Sequence, residues 1–334
     1  MNQGTRTAIV LFNLGGPDRP EAVKPFLFNL FFDPAIIGAP TPIRWLLAKF
    51  ISGRRAPIAR EIYARIGGRS PLVPETEAQA RALEHRLGKG YRCFIAMRYW
   101  HPFAHEAVAA IKEWDATEVI LLPLYPQFST TTTGSSLKQW TREAERQGLT
   151  APTRQVCCYP VQPDLVAAMA DLVRRGHQEA SARGRPRVLF SAHGLPKKVI
   201  ERGDPYQAQV EQTAAAVAKA TSIDDLDWSI CYQSRVGPME WIGPSTEVEL
   251  DRAGRDKVPV VVVPVAFVSE HSETLVELDI EYRHRADQLG IPAYVRVPAL
   301  GCHPSFIQGL AELVRDPGRL TGKACQQAGK SCPC

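Results

Sequence analysis

The sequence predicts an α/β protein built as two similar domains, each a parallel sheet flanked by helices. Three observations carry that expectation. Short β-branched runs alternate with helical periods through both halves of the chain. One run, Val258 to Val268 (VPVVVVPVAFV), is apolar on both faces, as a strand covered on two sides must be. At 334 residues the chain also exceeds what one core usually organises, so two domains of about 150 residues each are expected.

In the first half, Thr7 to Leu14, Arg92 to Tyr99 and Glu118 to Tyr125 read as buried strands. Helical patterns run over Glu21 to Phe32, Ile58 to Ile66, Glu75 to Leu87 and His105 to Trp114. In the second half, Arg187 to His193, Asp227 to Gln233, Val258 to Val268 and Ala293 to Pro298 are strands. Helical patterns there cover Asp164 to Arg183, Tyr206 to Ala220, Ser272 to Asp287 and Pro304 to Val314. The division is residues 1–155, 156–320 and a cysteine-rich tail, 321–334. Ligand sites are expected at the strand ends, facing a cleft between the domains.

Composition narrows the function. Forty basic and 35 acidic residues leave a net charge of +5, too little and too dispersed for nucleic acid. The N-terminal residues lack a separate charged and apolar region, and no segment reaches transmembrane length, so an intracellular, cytoplasmic setting is expected. The eight cysteines then read as thiols or metal ligands. LGGPD lacks the GxGxxG spacing, so a nicotinamide cofactor has no support. A lip at about 25–50 packs twelve large apolar residues, Phe31, Trp45 and Phe50 among them, between Pro34, Pro40 and Pro42. The prolines should divide it into short pieces, and Arg44, Lys49, Arg54 and Arg55 nearby would favour peripheral contact with anionic lipid.

Five groups carry candidate chemistry. After the apolar strand come His271, Glu273, Glu277 and Glu281. As an α-helix the three carboxylates, spaced i, i+4, i+8, share one stripe, with Tyr282 on roughly the opposite side. His193 ends another strand in SAHGLP. Imidazole plus carboxylate can bind a first-row metal ion or take up protons near neutral pH. Ser129 to Ser136 (STTTTGSS) offers hydroxyls, although an N-cap for a helix beginning near Leu137 explains most of it. Arg98, Tyr99, Trp100 and His101 at a further strand end suit a flat anionic ligand. Lastly, Cys325, Cys332 and Cys334 crowd the tail in a spacing unlike zinc pairs. An iron–sulfur cluster would need a fourth thiolate from the body of the chain, Cys157 or Cys158, or else Cys93, Cys231 or Cys302, which read as small hydrophobes.

Taken together, these blocks resemble the ferrochelatase family, which inserts ferrous iron into a porphyrin at the end of haem synthesis. The resemblance runs nearly end to end: LFNLGGPD at Leu11 to Asp18, RRAPIAREIYARIGGRSPL at Arg54 to Leu72, MRYWHP at Met97 to Pro102, YPQFSTTTTGSS at Tyr125 to Ser136, LFSAHGLP at Leu189 to Pro196, RGDPY at Arg202 to Tyr206, YQSRVGPMEWIGP at Tyr232 to Pro244, PVAFVSEHSETLVELDIEY at Pro264 to Tyr282 and HPSFIQGL at His303 to Leu310. It implies two Rossmann-like domains, with protoporphyrin and ferrous iron as substrates. His193 and Glu273 would be the metal-site pair with His271 in support, and Glu277 and Glu281 would relay protons. By the same resemblance Leu14, Arg55, Tyr63, Ser70, Arg98, Tyr99, Trp241 and Phe267 line or orient the macrocycle, and the lip faces a membrane.

The tail resembles that of bacterial members carrying a 2Fe–2S cluster. Thr130 stands where animal members have a ligand, so the fourth lies elsewhere; Cys158 is expected to complete the set with Cys325, Cys332 and Cys334, with Cys157 as the alternative. Two rival functions are a coproporphyrin ferrochelatase and a non-enzymatic tetrapyrrole or metal carrier.

Overall fold

The computed structural model describes residues 5–235 and 239–316 and divides into two units, 5–157 with 310–316, and 158–309. The end of the last helix thus groups with the first unit, where the sequence suggested one continuous second domain. The tail, with its three cysteines, lies outside the described residues.

In the first unit, β1 (Thr7–Asn13) is buried along its whole length. Parallel partners β2 (Tyr91–Met97) and β3 (Glu118–Pro123) flank it, and β4 (Thr153–Gln155) adds the order β2-β1-β3-β4. The three exposed residues of β4, TRQ, carry no apolar alternation, so no local pattern marks it. The helices are α1 (Val23–Phe32), α2 (Thr41–Ala64), α3 (Leu72–Leu87), α4 (Ala104–Glu113) and α5 (Thr133–Arg146).

The expectation of short pieces in the lip holds only in part. Pro34 and Pro40 separate α1 from α2, but Pro42 sits in the first turn of α2, where its missing N–H costs nothing. From there α2 runs 24 residues, through Pro57. Its face Ile43, Leu46, Leu47, Phe50, spaced i, i+3, i+4, i+7, is exposed, Leu46 to 61% and Phe50 to 67%. Phe26 and Leu27 of α1 are buried, and Phe31 packs against the same core cluster, which moves Phe31 from lip to core.

The second unit repeats the plan. Its elements run α6 (Pro163–Ala180), β5 (Arg187–His193), α7 (Lys197–Glu201), α8 (Tyr206–Ala220), β6 (Asp227–Gln233), α9 (Thr246–Asp256) and β7 (Val260–Pro264). A π-helix (Glu273–Tyr282), α10 (Arg283–Gln288), β8 (Tyr294–Arg296) and α11 (Pro304–Arg315) follow. The parallel order is β6-β5-β7-β8, the same relative order as in the first sheet. Val260 to Val263 are each at most 2% exposed, and each such burial contributes about 1.5–3 kcal/mol. β7 stops four residues short of the expected end because Pro264 has no N–H to continue the ladder, and 265–272 turn into the site.

The predicted α-helix after β7 is a π-helix for its first ten residues. Side chains of other elements hold its carbonyls: Gln233 Nε2 donates to Glu273 O at 3.0 Å, and the Tyr294 hydroxyl to Leu278 O at 2.7 Å. Such intruding donors favour the wider turn.

Candidate active site

In the second sheet the chain moves from β5 outward to β6, then returns to the other side of β5 as β7. The crevice between the C-terminal ends of β5 and β7 is the switch point at which open parallel sheets bind ligands. His193 is the last residue of β5, and the loop after β7 carries Phe267 and His271 into the π-helix. Gly194 lets the chain turn there, since a Cβ would lie 3.1 Å from Gln233 O and 3.2 Å from the Trp241 ring.

Three sequence-predicted residues meet at this point. Glu273 Oε1 lies 3.6 Å from His193 Nε2, and its Oε2 lies 3.5 Å from His271 Nε2. The other nitrogens face backbone carbonyls: His193 Nδ1 is 2.6 Å from Gly194 O, and His271 Nδ1 is 3.2 Å from Ser269 O. A carbonyl only accepts, so both rings carry a proton on Nδ1 and turn Nε2, the position that gains or loses a proton or binds a metal ion, toward Glu273. Burial works to raise the Glu273 pKa, but the His193 charge and the hydrogen bond and charge of His271 prevail and hold it at about 2. The His193 side chain keeps 37% of its surface, Glu273 29% and His271 12%, so the pair opens to solvent while His271 is backed by the Phe267 ring, 4.6 Å between centroids. Among the described residues no group of three or more such side chains is preformed as a metal cage.

Glu277 behaves differently. Ser234 N donates to its Oε1 at 2.8 Å, Gln233 Nε2 to its Oε2 at 3.1 Å, and the Ser234 hydroxyl donates as well. Burial first, and the Glu273 charge second, outweigh these donors and raise its pKa. Carboxyls driven apart in this way, one held ionised at rest and one readier to take a proton, form a graded pair. Tyr282 does not lie opposite the carboxylates as the α-helical reading required: its hydroxyl is 3.1 Å from Glu277 Oε1. In an α-helix residues five apart diverge by about 140°, whereas the i→i+5 turn of a π-helix brings them close. Glu281 is exposed.

Of the macrocycle candidates, Trp241 and Phe267 lie in this unit, where Trp241 pairs with Pro196 beside the His193 loop. The other six lie in the first unit, around the ends of β1 and β2. Leu14, Tyr63 and Tyr99 share one apolar cluster, and Arg55 is half-buried on α2. Ser70 Oγ lies 2.4 Å from where a Gly16 Cβ would stand, so only glycine fits there, and Ser70 with Gly16, Arg69 and His101 lines a hollow of about 380 Å³. Arg98 pairs with buried Asp33 at 2.7 Å, and the Tyr99 hydroxyl donates to the same carboxylate at 2.8 Å. Tyr99 has no exposed surface, so it acts by fixing Arg98 and the end of α1. Within STTTTGSS, Ser135 donates to Asp33 and accepts from Arg98 Nε, which gives that segment a structural use.

Residues 6–317 match the ferrochelatase family. The ferrochelatase of Caulobacter vibrioides (strain NA1000 / CB15N) is 54% identical, over 98% of this chain and 97% of that protein. The ferrochelatase of Wolbachia sp. subsp. Drosophila simulans (strain wRi) is 52% identical, over 92% of this chain and 98% of its own. This chain belongs to the ferrochelatase family. As a ferrochelatase it is an enzyme, a lyase that inserts ferrous iron into porphyrin in haem synthesis. Among solved structures, SirB from Bacillus subtilis with Fe3+ has a TM-score of 0.56 at 12% identity, over 98% of this chain and 99% of that one, a likeness of fold.

Reading the ferrochelatase sequence residue by residue missed three groups. Gln233 and Ser234 hold Glu277 from more than 40 positions away, and their one signal was a place at the end of β6. Buried Tyr206 hydrogen-bonds the His193 backbone from the start of α8. The Tyr282 hydroxyl was hidden by the assumption of an α-helix.

Proposed function

We propose that the porphyrin is protoporphyrin IX and that His193 and Glu273 carry the insertion. The observation behind this reading is an ionised carboxylate set between two imidazole Nε2 atoms at the switch point of the second sheet. Free porphyrin must lose two pyrrole protons as one ferrous ion enters, and a planar ring hides its nitrogen lone pairs, so the pocket bends the ring, presents the metal and removes protons. Glu273, held ionised, handles the cation and relays protons. Neutral His193 accepts a pyrrole proton at Nε2 and, once charged, stabilises the Glu273 carboxylate beside it, while His271 holds Glu273 in place from the other side. The Glu273–Glu277 pair then offers a next stop for the proton.

The test incubates pure protein with ferrous or zinc ion and either protoporphyrin or coproporphyrin, following absorbance over many turnovers. Protoporphyrin should turn over, and Glu273→Gln and His193→Ala should each lose about a hundredfold in rate with porphyrin binding retained. One bound equivalent without turnover would make the chain a carrier, and faster coproporphyrin turnover would reassign the substrate.

Two finer features belong to the proposal. The exposed face of α2, with Lys49 and Arg54 beside it, rests on the surface of an anionic membrane; no helix among the described residues is long and apolar enough to cross one. Cys325, Cys332 and Cys334 with Cys158 bind a 2Fe–2S cluster as a resident group. The support is the three thiols of the tail together with the adjacent Cys157 and Cys158 in the body of the chain, of which Cys158 is taken as the fourth ligand.

A further inference from the structure

We propose that protons leave Glu277 through the Tyr282 hydroxyl to Glu247 on α9. This rests on the reading of Glu273 and Glu277 as the groups that handle protons, and it departs from the outward stripe that would have ended at Glu281.

The Tyr282 hydroxyl stands 3.1 Å from Glu277 Oε1 and 3.1 Å from Glu247 Oε1. A phenol has one proton to donate, and an ionised carboxylate has none. With both carboxylates ionised the single phenolic proton is shared between them, and both contacts become full two-centre hydrogen bonds only when one carboxyl carries a proton and gives it to the phenol oxygen. The bridge is complete with one extra proton in it, as a relay requires. The step balances without a co-reactant. Protonated Glu277 passes its proton to the Tyr282 oxygen while the phenolic proton moves to the Glu247 carboxylate, leaving Glu277 ionised and Glu247 neutral. Glu247 then releases the proton to water, and rotation of the hydroxyl resets the bridge.

The surroundings fit this exit. Tyr282 is 5% exposed, its ring packed with Leu250 and Leu278 in the core of the unit. Glu277 is fixed by Gln233 and Ser234 on one side and meets Tyr282 on the other. Glu247 is half-exposed in the first turn of α9, where water can take the proton. The nearby Glu249 is occupied by Ser229 and Arg252. Buried in the core of the unit, Tyr282 acts as a relay and not as a catalytic residue.

A purely structural tie between the π-helix and α9 would use the same contacts, so the test reads proton transfer directly. Tyr282→Phe, Glu247→Gln, their double variant and Glu281→Gln are assayed for zinc insertion into protoporphyrin in H2O and D2O, with and without added imidazole. Tyr282→Phe and Glu247→Gln should each lower kcat about tenfold with KM for porphyrin nearly unchanged. The solvent isotope effect should rise, added imidazole should restore the rate, and the double variant should be no slower than either single one, because both break one path. Wild-type rates in Tyr282→Phe and Glu247→Gln, losses that multiply and track thermal stability without a change in isotope effect, or a loss confined to Glu281→Gln would each overturn the relay. If Tyr282→Phe fails to fold, Glu247→Gln alone decides. Glu273→Gln run alongside separates the two levels: full turnover there removes the underlying site, whereas an inactive Glu273→Gln beside a fully active Tyr282→Phe removes the relay alone.

Discussion

A carboxylate between two imidazoles ties stability to pH with a definite sign. The folded pKa of Glu273 lies at about 2, below the ordinary 4.5. A depressed carboxylate stabilises the fold above its unfolded pKa, and that contribution is lost as pH falls through the folded value. The wild type should therefore hold an advantage over Glu273→Gln of about 3 kcal/mol at most at about pH 6, shrinking as pH falls toward about 3. Urea unfolding of both proteins at the two pH values measures it, and parallel losses would show that the imidazoles do not hold Glu273 ionised. His193, His271 and Glu273 were legible in the sequence because each sits where a buried strand ends, a position set by local pattern. The partners of Glu277 were not, since Gln233 and Ser234 reach it only through the pairing of β5 with β6 and the packing of the π-helix across their ends.

Among the elements, strands were easiest to read. β5, β6 and α8 lie where periodicity put them, because continuous apolar runs and a 3.6-residue period are strong signals over seven residues or more. The π-helix was illegible for a physical reason: its widened turn depends on donors from Gln233 and Tyr294, which no local pattern encodes. The lip was half legible, since apolar content was plain but the partition between core and surface was not. That partition sets the membrane test. Leu46→Ser with Phe50→Ser should reduce binding to vesicles containing anionic lipid severalfold while unfolding free energy moves by no more than about 0.5 kcal/mol, as at other exposed sites. Phe31→Ser should do the reverse, lowering stability through lost packing with vesicle binding retained per folded molecule. Undiminished binding by the double variant would leave α2 an ordinary exposed helix.

At the level of the whole molecule, two parallel sheets were foreseen from alternation alone, because a parallel pair needs a crossover and helices fill the crossovers; their shared strand order appears only in the structure. The thiols divide just as physically, and this gives the proposed cluster its sharpest test. Cluster ligation needs thiolates. Cys231 is wholly buried and its pKa is pushed up to about 12, while burial also drives the Cys93 pKa upward, so both resist ionisation. Protein purified without oxygen should be reddish-brown, with about two irons and two sulfides per chain. Serine at Cys325, Cys332, Cys334 or Cys158 should bleach it, whereas serine at Cys93 or Cys231 should keep the colour. Bleaching by Cys157→Ser but not Cys158→Ser would move the fourth ligand by one residue along a segment in which both side chains are buried. Colourless protein holding one zinc per chain would replace the cluster with a different centre, since zinc accepts the same thiolates without absorbing visible light.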